Sequence, residues 1–337
     1  MAERLENPEF PHTVKRTRLA SAVLARLEKD RIAVVTTYSL FQVLRSVLAG
    51  GGKGLYLRGD ASPSSHIDGV RKNLLATRAI ETDPGYGRSL YRVLPVGESS
   101  AEEVCALANP FGYISHLSAM QRWGITERRP EALHLTMPPA NAARALVEAR
   151  MEADYGTLDH GTLPGNVPLP LGPLVKLLFI RHPAVVRGRA VSVYETRHPT
   201  RWIQVQDSHA RLATIGQTFV DTVERPQYCG GMAHVVDIWR EHADIFREEI
   251  ISTVEEVGTS IAKVRAGYLL DEVLAAGDDA RVQGWVRFAQ RGSSRVLDPA
   301  NPNTVHLSVW RPYITGRVFW DRQRWRVFLP ACQPAFV

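Results

Sequence analysis

A chain of 337 residues, 45% hydrophobic and 23% charged, is long enough for two or three domains and too apolar for wholesale disorder. No run of 18 or more apolar residues occurs, and the start, Met1-Ala2-Glu3-Arg4-Leu5-Glu6, has no apolar h-region, so neither a membrane-spanning helix nor a secretion signal is expected. The net charge is +6, and the three cysteines, Cys105, Cys229 and Cys332, form no CxxC pair, which fits a reduced cytoplasmic protein.

The first 97 residues hold 15 Lys and Arg against 9 Asp and Glu, while residues 98–337 hold 26 of each. The whole positive excess therefore lies in the first part, either as a surface for a polyanion or as an unspecialised basic surface. Within it, Leu19, Val23, Leu24 and Leu27 give residues 15–29 a helical stripe. Ile32–Val35 is a short β-branched run. Thr36 or Thr37 caps a second helix carrying Leu40, Phe41, Leu44 and Leu48 inward and stopping at Gly50. After a Gly/Ser/Pro-rich loop holding the short extended run Leu55-Tyr56-Leu57, a third helix starts near Ser64, with Ser65 and Asp68 spaced as a weak capping box. Its apolar stripe is Ile67, Val70 and Leu74; Ser65, Gly69, Lys72 and Asn73 face the other way. Two extended runs, Arg78–Thr82 and Arg88–Leu94, follow around Asp83-Pro84-Gly85-Tyr86-Gly87, a hairpin turn.

Helix, strand, helix, helix, hairpin is the order of a winged helix-turn-helix. In that arrangement the third helix enters the major groove, and Tyr86 and Arg88 at the hairpin tip meet phosphate. The competing reading is a winged helix serving as a protein-interaction module with a solvated basic tip.

Residues 98–337 mix helices and strands and are expected to form one α+β domain. Helices are predicted at Glu102–Leu107, Ser115–Trp123 with Ser115 as cap, and Ala140–Met151, with a strand at Leu133–Met137. Residues 156–173, with four Gly and four Pro, read as a long loop. Extended runs are predicted at Leu174–Ile180, Ala190–Glu195 and Trp202–Val205. A helix capped by Asp207 or Ser208 then reaches Val223, and further helices follow at 233–243, 259–275 and 280–289. Val305–Val309, Arg317–Trp320 and Arg326–Leu329 close the chain as strands.

Several chemical patterns are set aside. Gly50-Gly51-Gly52-Lys53-Gly54 lacks the outer glycine and the Ser/Thr of a phosphate loop. Asp207-Ser208-His209 has triad residue types without triad geometry. The eleven histidines include no HExxH, so neither a metal nor a cofactor is expected. Asp154, Asp159 and His160 beside the long loop read as solvated rather than catalytic. Trp310, Trp320 and Trp325 among Arg311, Arg317, Arg322, Arg324 and Arg326 fit either a stacking surface or a sheet with Trp inward and Arg outward.

Three segments carry a family resemblance. Tyr113-Ile114-Ser115-His116-Leu117-Ser118-Ala119-Met120-Gln121-Arg122-Trp123-Gly124-Ile125 resembles the Ser-x-x-Ser-Ala-Leu-x-x-His-Gly-Leu pattern of the AbiEi antitoxin family, with Met120 and Trp123 departing from its Leu and His. Asp207–His209 followed by Thr218-Phe219-Val220-Asp221-Thr222-Val223-Glu224-Arg225-Pro226-Gln227-Tyr228-Cys229-Gly230-Gly231 is similar to that family's Asp-x-x-x-Arg-Pro…Cys-Gly-Gly segment, and Val264–Asp271 to its Arg-Leu-Gly-Tyr-Leu-Leu-Glu.

The resemblance implies an autoregulating antitoxin, not an enzyme, whose partner is a nucleotidyltransferase toxin encoded in the same operon and which serves in phage defence. Residues 1–97 would bind inverted repeats in the promoter, making the protein nucleoid-associated. Residues 98–337 would neutralise the toxin, with no direct contact between the two proteins assumed. Its motif residues here are Ser115, Ser118, Asp221, Arg225, Pro226, Gly230 and Gly231. Read physically, Asp221 and Arg225 are one helical turn apart and so able to pair, Pro226 stops the helix, and the two glycines allow a tight turn, so the same residues also fit a purely structural corner. The alternatives are a winged-helix regulator sensing a ligand near 156–173, and a DNA-targeted enzyme, for which no clustered carboxylates or nucleophiles are found.

Overall fold

The computed structural model describes residues 15–50, 63–156, 162–163, 167–168, 175–197, 201–289, 296–301 and 303–310. The protein is mixed α+β and divides into two compact units, Met1–Thr214 and Ile215–Val337, so residue 97 falls within the first. The runs at 55–57, 317–320 and 326–329, the loop glycines after Gly50, Asp159, His160, Trp320 and Trp325 lie outside the described residues.

The first unit opens with α1 (Arg18–Lys29), β1 (Val34–Val35), α2 (Thr37–Ala49), α3 (Pro63–Ala76), β2 (Ile80–Asp83) and β3 (Gly87–Val93). Local chemistry accounts for the boundaries. The Thr17 hydroxyl accepts from Ala20 N–H to start α1, and Thr36 with Ser39 forms a reciprocal capping box on α2. Because α3 already begins at Pro63, Ser65 lies inside the helix, and Asp68 pairs with Arg71 (2.9 Å) instead of closing a cap. β1, β3 and β2 make a three-stranded antiparallel sheet in that order. Leu24, Leu27, Leu40, Phe41, Leu44, Ile67, Val70 and Leu74 fill the core between the helices.

The same unit continues with α4 (Ala101–Ala108), β4 (Tyr113–Ile114), α5 (His116–Arg122), β5 (Leu133–Met137), α6 (Ala140–Gly156), β6 (Thr162–Leu163), β7 (Val167–Pro168), β8 (Val185–Val186), β9 (Arg189–Glu195), β10 (Trp202–Gln204) and β11 (Arg211–Ala213). Six strands form a mixed sheet in the order β10-β11-β4-β5-β9-β8, and β6 pairs with β7. Neither core stops at residue 97. Tyr155 and Leu177 join the cluster under α1–α3, and Val34 and Leu90 pack with Val104, Ile114, Leu133 and Leu212. The charge break is thus not a packing break.

Three local expectations are corrected here. No helix starts at Asp207 or Ser208: Asp207 adopts φ 54° in a turn in which Ser208 N–H donates to Val205 O (3.2 Å), and Arg211–Ala213 is a strand between β10 and β4. Residues 175–180 carry no strand. Ser115 stands at the N-cap of α5 without capping it.

The second unit is helical: α7 (Ile215–Glu224), α8 (Met232–His242), α9 (Arg247–Val257), α10 (Ser260–Tyr268) running into a π-helical turn at Leu269–Val273, and α11 (Ala280–Ala289). Every residue of α7 from Ile215 to Val223 is buried, which makes it the central element. Phe219 meets Trp239 edge-on (5.4 Å between ring centres), and the indole N–H donates to the Thr222 hydroxyl (2.9 Å). α9 was not expected, although acidic Glu248 and Glu249 in its first turn precede the apolar Ile250, Ile251 and Val254. The strand expected at 305–309 is a 3-10 turn, Leu307–Val309.

Candidate functional site

On α3 the buried stripe is Ile67, Val70 and Leu74, and the opposite face exposes Ser65, Gly69 and Lys72 as the 3.6-residue period dictates. A Cβ placed on Gly69 would meet no atom of the described residues within 4 Å, so no packing among them requires glycine there. Asn73 departs from the expected face. Its Oδ1 accepts the Thr17 N–H (3.0 Å) and its Nδ2 donates to Lys15 O (3.2 Å), so both ends of the amide hold the chain entering α1. That segment brings exposed Lys15 and Arg16 beside α3; the run Lys15-Arg16-Thr17-Arg18 was visible in the sequence but carried no cue to where it docks. Asn73→Ala is therefore expected to lower stability by about 1 kcal/mol, since two partly solvated hydrogen bonds are lost. Urea unfolding checks this, and an unchanged midpoint would mean that the amide does not hold the segment.

Tyr86 also departs from its expected role. It is half-buried, its hydroxyl lies 2.9 Å from His182 Nδ1 and 3.7 Å from Cys105 Sγ, and burial pushes the phenol's pKa well up. Its hydroxyl is thus engaged within the protein. Arg88, at the start of β3, is exposed as expected. Asp83 at the hairpin turn is fully buried and ion-paired with Arg187 (2.7 Å).

Ser115 and Ser118 are buried staples. Ser115 N–H continues the ladder to His134 O (3.1 Å), while its hydroxyl accepts from Thr136 Oγ1 (2.8 Å) and lies 2.8 Å from His116 Nδ1. That is why it does not cap α5. Ser118 Oγ accepts from His134 N–H (2.9 Å) and donates to Ala132 O (3.4 Å), tying α5 to β5. His116, 1% exposed, adopts the left-handed φ of 51°, a conformation uncommon outside glycine. His134 faces the same sheet region, and its pKa is lowered first by burial and then by the charge of Arg189. At the two departures from the family pattern, Met120 is fully buried and Trp123 Nε1 donates to Ala213 O (2.9 Å).

The second motif makes the corner between α7 and α8. Asp221, buried, accepts from Gln217 Nε2 (2.7 Å), and Arg225 N–H closes the last turn onto Asp221 O (2.9 Å). Pro226 opens a 3-10 turn, and Gly230 and Gly231, both at φ 88°, carry the chain into α8, with Gly231 N–H on Pro226 O (2.8 Å). In the third motif, buried Arg265 donates to Val223 O (2.7 Å) and Val296 O (3.3 Å). Asp271 accepts from Trp310 Nε1 (3.0 Å), and Trp310 occupies the space that a Cβ on Gly267 would need. Trp310 is thus an inward residue.

Residues 113–272 match the AbiEi antitoxin C-terminal domain and span all three motifs. The chain thus carries an AbiEi antitoxin C-terminal domain over these residues. Among solved structures, the RV2827C protein from Mycobacterium tuberculosis is similar at 20% identity over 84% of this chain and 85% of that one, with a TM-score of 0.36. No curated protein matches.

The AbiEi domain gives the chain an antitoxin role in a toxin–antitoxin system. Within that domain, the side chains of Ser115 and Ser118 and the backbone of Arg225, Pro226, Gly230 and Gly231 join elements to one another, while Asp221 bonds Gln217 within α7. Asp154 is likewise engaged, accepting from Tyr38 Oη (2.9 Å) and Arg150 Nε (2.8 Å). Among the described residues no group of three or more His, Cys, Asp or Glu is placed to hold a metal ion, and no helix is long and apolar enough to cross a membrane.

Proposed function

We propose that this AbiEi antitoxin is a DNA-binding autorepressor of its own operon, that it is not an enzyme, and that it counteracts a nucleotidyltransferase toxin encoded beside it, in phage defence. The observation that carries the DNA reading is the outward face of α3. Ser65, Gly69 and Lys72 present small and basic groups, and Gly69 leaves mid-helix space that no described residue fills. A helix that approaches base edges closely needs such a face. The element order α1-β1-α2-α3-β2-β3 supports a winged helix, as does the confinement of the positive excess to residues 1–97. The DNA-contacting set is Ser65, Gly69, Lys72 and Arg88, joined by Lys15 and Arg16; Asn73 and Tyr86 serve as internal supports instead.

Because both cores of the first unit run across residue 97, DNA binding and toxin neutralisation are to be separated by substitution rather than by cutting there. Gly69→Ala makes the test. In an exposed helix interior it should stabilise the protein by about 0.5–1 kcal/mol. If α3 meets DNA through this face, the same change should weaken promoter binding about tenfold, with toxin protection under a foreign promoter retained. Wild-type affinity should fall with salt by roughly 0.9 log unit per phosphate neutralised. Salt-independent binding, or equally tight binding by Gly69→Ala and Lys72→Ala, would remove the reading.

A further inference from the structure

We infer that Arg187 and His182, which lie in the antitoxin region, position the β2–β3 hairpin for DNA; the inference rests on the DNA-binding reading above. The two oxygens of the buried Asp83 carboxylate do different work. Oδ1 accepts the Gly85 and Tyr86 N–H groups (2.9 and 3.2 Å) and so folds the turn. Oδ2 accepts Arg187 Nη2 (2.7 Å) and so ties that turn to the β8–β9 connection. Four residues earlier in β8's approach, Pro183 lies against Gly85, and His182 holds the Tyr86 hydroxyl with its ring edge-on to the phenol (6.0 Å between centres).

The holder is itself rigid. Arg187 and Gly188 have φ of 50° and 75° and form a two-residue turn between β8 and β9, with Val186 opposite Arg189. β9 is paired with β5 over five positions from Leu133↔Val191 to Met137↔Glu195, and β5 carries the Thr136 that bonds Ser115. A continuous set of contacts thus runs from the hairpin beside Arg88 to the first antitoxin motif. The hairpin is no free wing: its tip is set from outside the first 97 residues, and with it the position of Arg88.

The test uses the full chain and a duplex of its own promoter. Arg187→Ala should weaken binding about tenfold, and Arg187→Lys, which keeps the charge, should recover most of the loss. Since Arg187→Ala strands a buried carboxylate, Tyr86→Phe, which removes only the hydroxyl bonded to His182, serves as a second variant and should weaken binding several-fold, about two- to fivefold. In an Arg88→Ala background neither change should reduce affinity further, because both act through the hairpin. Hydrogen exchange at the Gly85 and Tyr86 amides should quicken in Arg187→Ala without DNA present. Losses that add to that of Arg88→Ala would show Arg187 touching DNA itself and overturn the inference. So would unchanged exchange. Should the wild type not bind its promoter, the DNA reading falls and this inference with it, while the exchange rates still report whether the clasp between hairpin and β8–β9 turn exists.

Discussion

Trp239→Ala is expected to destabilise the helical unit by about 3–5 kcal/mol, the usual range for removing a fully buried aromatic side chain. Trp239 is 0% exposed, packs edge-on against Phe219 of the central helix α7, and donates to the Thr222 hydroxyl, which itself donates to Phe219 O (2.6 Å). Truncation removes the ring contacts and leaves a cavity beside α7 that the surrounding helices fill only in part. Trp239→Phe keeps an aromatic ring and loses the hydrogen bond, so it should cost less, about 1–2 kcal/mol. Guanidinium unfolding measures both. Because the α7–α8 corner carries the Arg-Pro…Gly-Gly motif, Trp239→Ala should also lose protection against the toxin. A loss of stability under about 1 kcal/mol would mean that α8 is not held by this residue.

The second large effect is a pH dependence centred on His182. Burial first, and the nearby Arg211 charge second, lower its pKa to about 4. Tyr86, Glu102, Cys105, Tyr113 and Arg211 are the titratable groups among the described residues that share its contacts or its cavity. In the unfolded chain the imidazole takes a proton near its ordinary pKa of about 6.5, whereas the folded protein refuses it until about pH 4. The contribution to stability is therefore complete above pH 6.5 and is lost as the pH falls toward 4, a change on the order of 3 kcal/mol. Denaturant unfolding at pH 7 and pH 4.5 of the wild type and of His182→Asn isolates it, since the carboxylates common to both proteins cancel in the difference. A difference between the two proteins that stays constant across this window would show that His182 titrates in the folded protein as it does in water.

Elements whose signals are local were legible in the residue order alone. Leu24, Leu27, Leu40, Phe41, Leu44, Val70 and Leu74 are core residues because helical periodicity puts them on one face, and Leu133–Met137 is a strand with the bounds that alternation predicts. The family motifs were legible for a related reason: the Pro226 stop and the Gly230-Gly231 turn are written in residue types that impose a backbone conformation. What polar side chains do at long range depends on how distant segments pack. Asn73 holds Lys15, 58 residues away; Tyr86 meets His182, 96 away; and Asp83 meets Arg187, 104 away. Spacing along a helix shows which side a residue lies on, not which segment will cover it. The same limit hid β4 and β11, which are two and three residues long and exist as strands only through their neighbours in the six-stranded sheet. It also explains residue 97. Charge is counted along the chain, whereas a core forms wherever apolar faces meet, and Val34 and Leu90 meet theirs beyond that point.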